Sequence, residues 1–141
     1  MTEQKLKEYF ENILTVEELV LDLNGSRDQT SAQTTSIYID TIEEGEFEIT
    51  KAHLLKLCND TLNEYLLPVD LNAIAFAIIT SDFFHWNKDS KDTEIIEEVL
   101  YDWDNPEIGY DLSIKNVGLW KEYLETGNYN FDEQELKNKF Q

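Results

Sequence analysis

The chain has 141 residues, 41% of them apolar, and its 30 Asp and Glu against 11 Lys and Arg give a net charge of −19. This length fits one domain spanning residues 1–141, and the apolar fraction excludes a disordered acidic tail. The charge argues against direct contact with nucleic acid or an anionic membrane, and it favours a basic partner or none.

The N-terminal part of the chain predicts a helix and then a strand. Residues 2–14 carry apolar side chains at helical spacing, and Thr2 is a suitable N-cap. Leucines occupy every second position of residues 19–23, which is the alternation of a half-buried strand. The polar residues 26–36 hold no large apolar side chain and are too many for a tight hairpin, so we expect a loop there.

Two further strands are predicted before the first long helical segment. Residues 37–40 alternate apolar and polar side chains, and residues 47–49 do so again after the acidic turn at residues 43–46. Together with the strand at residues 19–23, they predict a small N-terminal antiparallel sheet.

Helices are predicted for most of the chain that follows. Thr50 caps a helix that runs to about residue 66, and Pro68 ends it because the residue before a proline is pushed out of the helical region. Asp70 caps the apolar run at residues 71–79. The alanines of that run favour a helix, whereas its alternation of small and large residues also suits a buried strand.

The C-terminal part predicts three more helices. Residues 93–103 and 113–124 have broad apolar stripes, with Ser113 as a cap and Gly127 as a stop. Residues 130–141 hold a short terminal helix whose apolar side chains point inward. The order of elements predicts an α+β fold, in which a small N-terminal antiparallel sheet packs with a mainly helical C-terminal half.

The compartment is inferred from what the sequence lacks. Cys58 is the single cysteine, so no internal disulfide forms and a reducing compartment is expected. The first residues show no basic flank followed by an apolar run, which a signal peptide needs. The apolar run at residues 71–79 is far shorter than the ~20 residues of a membrane helix. We therefore expect a cytoplasmic protein.

No catalytic or metal-binding pattern emerges from the residues. His53 and His85 are the two histidines, neither lies near a nucleophile elbow, and one cysteine with two histidines falls short of the usual zinc ligand sets. A calcium loop starting at residue 87 fails because Asp92 occupies the required glycine position and Lys91 adds positive charge. We expect no enzyme activity, no metal and no cofactor. A small enzyme that uses carboxylates remains a further hypothesis, which only the abundance of acidic residues supports.

A resemblance to a known family rests on two adjacent segments, Trp103-x-Asn105-Pro106-Glu107-Ile108-x-Tyr110 and Leu112-Ser-Ile114-x-Asn116-Val117. Over roughly residues 70–125 the chain resembles small bacterial immunity proteins, which are encoded beside polymorphic or contact-dependent growth inhibition toxins. The resemblance implies a cytoplasmic protein that binds and neutralises a cognate toxin, often a nuclease. Pro106 and its neighbours are expected to shape the turn rather than to inhibit.

Charge supports the same function independently. A nuclease carries a basic cleft for its phosphate substrate, and an acidic partner is steered to such a cleft at up to ~10⁸–10⁹ per molar per second at low salt. We place the predicted toxin-binding surface on the helix at residues 93–103 and the turn after it, and we expect its carboxylates to face water. Its residues are Glu97, Glu98, Tyr101, Asp102, Asp104, Glu107, Tyr110 and Asp111.

Two alternatives remain open at the level of sequence. The competing surface is the acidic turn at residues 43–48, whose flanking strand offers an edge for strand addition. The competing function is a DNA-mimicking regulator, which occupies a DNA-binding protein by its charge. A neighbouring gene for a large toxin would favour the immunity function, and one for a repressor or restriction enzyme would favour the mimic.

Overall fold

The computed structural model of the protein describes residues 1–28 and 40–139, and most of these residues are helical. In chain order, the elements within these two ranges are α1 (Glu3–Phe10), α2 (Val16–Asp28), β1 (Phe47–Glu48), α3 (Lys51–Leu62), α4 (Asp70–Ile79), β2 (Phe84–His85), α5 (Thr93–Asp104), α6 (Ile114–Thr126) and α7 (Glu133–Lys139). Helices combined with a small sheet confirm the broad α+β prediction.

Helix α1 begins as predicted and ends early. The Thr2 hydroxyl oxygen accepts a hydrogen bond from the Lys5 backbone N–H at 3.1 Å, so the predicted cap is confirmed. The helix ends at Phe10 rather than at residue 14. Asn12 has a φ of 63°, in the left-handed region that a right-handed helix cannot continue through.

The first predicted strand is wrong, because its residues lie in α2. Leu19 and Leu23 are buried one helical turn apart, whereas Leu21 between them is exposed. A spacing of four residues fits the buried face of a helix as well as that of a strand. The Thr15 hydroxyl accepts the Glu18 backbone N–H at 3.2 Å and caps the helix start, a local signal that favours the helix.

Two predictions concern residues that the structure describes only in part. Of the predicted loop, residues 26–28 belong to α2, and residues 29–36 lie outside the described ranges. The strand predicted at residues 37–40 also lies outside them, except for Asp40. This residue forms a parallel bridge with Thr2.

The sheet differs from the predicted one in place and direction. Strand β1 pairs with β2 in parallel, with Phe47 opposite Phe84 and Glu48 opposite His85. The chain between them passes through α3 and α4, and such a crossover connection brings two strands together in parallel. The prediction of an N-terminal antiparallel sheet is therefore wrong. A strand of two residues is too short to show the alternation on which a prediction depends.

Helices α3 and α4 follow the predictions except at their ends. The Thr50 cap is confirmed, whereas α3 stops at Leu62 rather than near residue 66, and Glu64 takes a left-handed φ of 68°. The apolar run at residues 71–79 is a helix, as the alanines favoured. Asp70 is its first residue and not its cap, because its carboxylate instead accepts the Leu67 backbone N–H at 2.9 Å.

The C-terminal helices were predicted almost to the residue. The Ser113 hydroxyl accepts the Asn116 backbone N–H at 3.2 Å and caps α6. Gly127 ends that helix with a φ of 81°, a conformation that costs glycine little and other residues more. The predicted terminal helix is α7, where Leu136 packs against the core; Phe140 lies outside the described residues.

One hydrophobic cluster joins the buried side chains of α1 to α6. Helix α3 packs against α6, and α4 packs against α5. At the centre, the rings of Trp103 and Trp120 meet edge to face with centroids 6.3 Å apart. In the ranges that the structure describes, no helix is both long and apolar enough to cross a membrane.

Candidate functional site

An open groove of about 760 Å³ runs between the outer face of α5 and the segment after β2. Helix α5 contributes carboxylates and a tyrosine from successive turns, since residues three and four apart share a helix face. Trp86 and Lys88 come from the segment after β2, and Ile79 comes from the end of α4. The lining residues are Ile79, Trp86, Lys88, Glu94, Glu97, Glu98, Leu100, Tyr101, Asp104 and Asn105.

Trp86 is held in the groove wall by a hydrogen bond. Its indole N–H donates to a carboxylate oxygen of Glu97 at 3.0 Å, and Trp86 as a whole is half-buried. The N–H is the only polar group of an indole, so what remains for a ligand is the ring surface. On α5, the Tyr101 side chain is 54% exposed. The groove therefore presents two aromatic side chains beside its acids.

The groove carries a strong negative charge. Among the described residues, Glu94, Glu97, Glu98 and Asp104 line it together with one lysine, Lys88. In the part of the chain that the structure describes, no ion pair uses any of these carboxylates. Their charges are therefore free to act on an incoming cation.

Burial and crowding act on two of these acids. Burial raises the pKa of Glu98, and the charge of Asp102 raises it further. Burial likewise raises the pKa of Asp104, with a further contribution from Glu107. Both shifts mean that the ionised form is less favourable here than in water. A cation brought into the groove would relieve this repulsion.

Asp102 does not belong to this surface, and the expectation that it faces water is wrong. It is 6% exposed, and one of its carboxylate oxygens accepts two hydrogen bonds, from the Trp120 indole N–H at 3.0 Å and from the Tyr129 hydroxyl at 2.5 Å. Burial raises the pKa of Asp102, while these two hydrogen bonds lower it. Burial and the bond to Asp102 also raise the pKa of Tyr129, so its hydroxyl remains a donor.

Tyr110 was predicted as a surface anchor, and that expectation is also wrong. It is only 5% exposed, and its ring packs against Phe131 with centroids 4.4 Å apart. Tyr129 completes this cluster at 6.2 Å from Tyr110. The cluster closes the side of α6 with residues from the C-terminal segment. Tyr110 thus packs within the fold and exposes little of its side chain.

The remaining predicted residues lie in the turn after α5. Asp111 is exposed, and it forms an ion pair with Lys139 of α7 at 2.8 Å. The Lys139 ammonium also donates to the Pro106 carbonyl and, at 3.0 Å, to the Gly109 carbonyl. This lysine ties α7 to the turn and offsets the charge of Asp111. Glu107 is exposed and lies outside the lining of the groove.

Glu97, Glu98, Tyr101 and Asp104 are thus the predicted residues that share the groove. The sequence analysis missed Trp86, Lys88 and Glu94. Glu94 was recognisable, because it lies one helical turn before Glu97 and Glu98. Trp86 and Lys88 had no local signal, because they reach the groove only through tertiary packing, in which β2 packs against α4 and α4 packs against α5.

The competing acidic turn has a different character. Glu43, Glu44, Glu46 and Glu48 are all exposed, and the Glu46 carboxylate lies 3.7 Å from the ring of His85. The adjoining strand β1 is two residues long and pairs with β2 along one edge. So short a strand offers little backbone for strand addition.

The groups with catalytic potential have structural surroundings. The His53 ring nitrogen Nδ1 accepts the Thr50 backbone N–H at 3.0 Å, and the ring packs 5.0 Å from Phe10. Burial and the charge of Lys56 lower the pKa of His53. Burial raises the pKa of the Cys58 thiol to about 12. Among the described residues, no three His, Cys, Asp or Glu side chains are grouped so that they could hold a metal ion.

Comparisons with known proteins found no matching family model, no similar curated protein and no similar solved structure. The resemblance of roughly residues 70–125 to immunity proteins therefore stays an expectation from the sequence.

Proposed function

We propose that the protein binds a basic toxin domain in the bacterial cytoplasm and neutralises it, as an immunity protein does. It acts by occupancy and not by catalysis, and it needs no cofactor. The observation that carries the proposal is the groove beside α5, where four carboxylates lie beside the side chains of Trp86 and Tyr101 and form no ion pair with any residue that the structure describes. A nuclease offers the complement, since its cleft is built to attract phosphate.

Charge would govern how fast such a complex forms. Opposite charges steer two proteins together, and salt weakens the steering. Ile79, which is 38% exposed, and the two aromatic side chains add apolar contact area in the same groove. Tryptophan and tyrosine are enriched among the residues that dominate binding energy at protein interfaces. The groove therefore combines fast association with an anchor.

The test uses the basic toxin domain that this proposal predicts to be encoded beside this chain. Toxicity is measured in cells with and without this protein, and association of the purified pair is measured at several salt concentrations. The double variant Glu97→Lys with Glu98→Lys should associate about tenfold more slowly at low salt. The matched control, Glu43→Lys with Glu44→Lys, changes the net charge equally and should stay within about twofold of wild type.

Each outcome has a definite meaning. Cells that die equally fast with and without this protein would refute the immunity function. Neutralisation that is slowed by the acidic-turn variant but not by the groove variant would place the interface at residues 43–48. A partner that is a repressor or restriction enzyme would favour the DNA-mimicking function instead.

A further inference from the structure

We infer that the groove receives an arginine side chain of the basic partner, held between the aromatic surfaces of Trp86 and Tyr101 and bound by the carboxylates of α5. This inference rests on the proposed function and adds the chemistry of the residue that is recognised. It predicts that the partner places an arginine, rather than a lysine, at the centre of the interface.

The aromatic side chains supply the first part of the argument. The Trp86 N–H is already used by Glu97, which leaves the indole face as its contribution to the groove. Within the described ranges, Tyr101 makes no aromatic contact and its hydroxyl has no hydrogen-bond partner. Faces of tryptophan and tyrosine attract cations through the negative charge above the ring.

The carboxylates of α5 supply the second part. Glu94, Glu97, Glu98 and Asp104 line the groove, and within the described residues none of them forms an ion pair. The backbone carbonyls at the end of α5 are already bonded by Asn72 and Asn105. The side-chain carboxylates, and not the helix end, are therefore the groups that would bind a cation.

The geometry of the ligand group decides between arginine and lysine. A guanidinium is planar, weakly hydrated and able to bond carboxylates through two N–H groups while its face lies on a ring. An ammonium is strongly hydrated and offers no face to stack. Side chains at positions 94, 97 and 98 present carboxylates from two adjacent turns, which suits the forked donor.

The experiment measures binding of two short peptides, hexa-arginine and hexa-lysine, to the intact protein by intrinsic fluorescence. Trp103 and Trp120 are fully buried, so half-buried Trp86 is the tryptophan that reports on this groove. We expect a saturable change in fluorescence, and an affinity for hexa-arginine about fivefold or more above that for hexa-lysine. Trp86→Phe should abolish the fluorescence change.

The variant Tyr101→Ala tests the stacking without altering the charge. It should weaken hexa-arginine binding about fivefold, measured by calorimetry. The matched control is Tyr65→Ala, because Tyr65 is exposed to the same degree, 54%, and does not line the groove. Lys88→Ala removes a positive charge that lines the groove and should strengthen binding of both peptides.

Equal affinity for the two peptides would overturn the inference, and so would equal effects of the two tyrosine variants. If hexa-arginine fails to bind while the toxin domain still binds in a salt-dependent manner, the inference falls and the proposed function stands. If hexa-arginine binds as expected while no toxin is neutralised, the arginine site stands and the immunity function falls.

Discussion

Asp102→Ala tests whether the acid-lined helix depends on one buried carboxylate. The substitution removes the acceptor for two donors, the Trp120 indole N–H and the Tyr129 hydroxyl. Trp120 is fully buried, so its N–H has no access to water in the variant. Tyr129 is half-buried, and its hydroxyl can turn toward solvent. The two donors are therefore expected to contribute unequally.

The magnitude follows from these exposures. An unpaired buried donor costs about 1–3 kcal/mol, and a hydrogen bond lost to water costs about 0.5–1.5 kcal/mol. Removing the buried charge offsets part of this loss of stability, because burial disfavours the ionised form of Asp102 and raises its pKa. We expect Asp102→Ala to lower the free energy of unfolding by about 2–3 kcal/mol, out of a total of about 5–15 kcal/mol.

Asp102→Asn separates the charge from the hydrogen bonds. The amide oxygen still accepts a bond from Trp120, so the loss at pH 7 should stay within about 1 kcal/mol. The pKa of Asp102 is raised above 3.8 in the folded state, so the folded state binds the proton more tightly. The part of the stability that comes from protonated Asp102 is therefore lost as pH rises through its folded pKa, while the two hydrogen bonds to the carboxylate remain. Asp102→Asn should lose that part of the pH dependence.

The assay is urea unfolding followed by circular dichroism. Asp111→Ala is the control, because it removes only an exposed ion pair with Lys139 and should cost about 0–1 kcal/mol. A double-mutant cycle between Asp102→Ala and Tyr129→Phe isolates the bond between those two residues. If Asp102→Ala unfolds like the Asp111 control, the buried network does not stabilise α5 and the argument is refuted.

Three further predictions concern the core, a cap and the thiol. Ile74→Asp places an unpaired charge at a fully buried position of α4 and should unfold the protein, whereas Phe76→Asp, at a position 39% exposed on the same helix, should still give a cooperative melt. His53→Ala removes a cap and should cost about 1 kcal/mol at pH 8. The pKa of His53 is lowered below 6.5 in the folded state, so the unfolded chain binds the proton first as pH falls. The difference in free energy of unfolding between wild type and His53→Ala, measured by chemical denaturation, should therefore shrink below pH 6.5. A difference that stays constant with pH would contradict this. Cys58, with its pKa raised to about 12, should react with a thiol reagent at pH 8 only as fast as the protein unfolds; labelling at the rate of a free thiol would show that it is accessible.

Local signals in the sequence determined the helices whose starts and stops depend on neighbouring residues. Helix α6 is an example, because a serine cap and a left-handed glycine act within one turn of its ends. Helix α5 is another, since its apolar stripe repeats over three turns. The prediction of a strand at residues 19–23 failed because leucines at every second position include a pair four residues apart, and a helix buries such a pair equally well. Only the cap at Thr15 distinguished the two, and it lies outside the repeating pattern.

The negative charge of the chain and its concentration on α5 were likewise evident from the sequence. They are the basis for the prediction of Glu97, Glu98, Tyr101 and Asp104 as surface residues that a partner would contact. The sequence did not determine which side chains of α5 are exposed to solvent. Asp102 adjoins the apolar stripe, and it is buried because Trp120 and Tyr129 approach it from positions 18 and 27 residues further along the chain. Burial depends on which distant segment covers a side chain, and spacing along one helix contains no information about that segment. For the same reason, the groove could not be predicted from the sequence. It forms only in the tertiary structure, where Trp86 from the segment after β2 lines it.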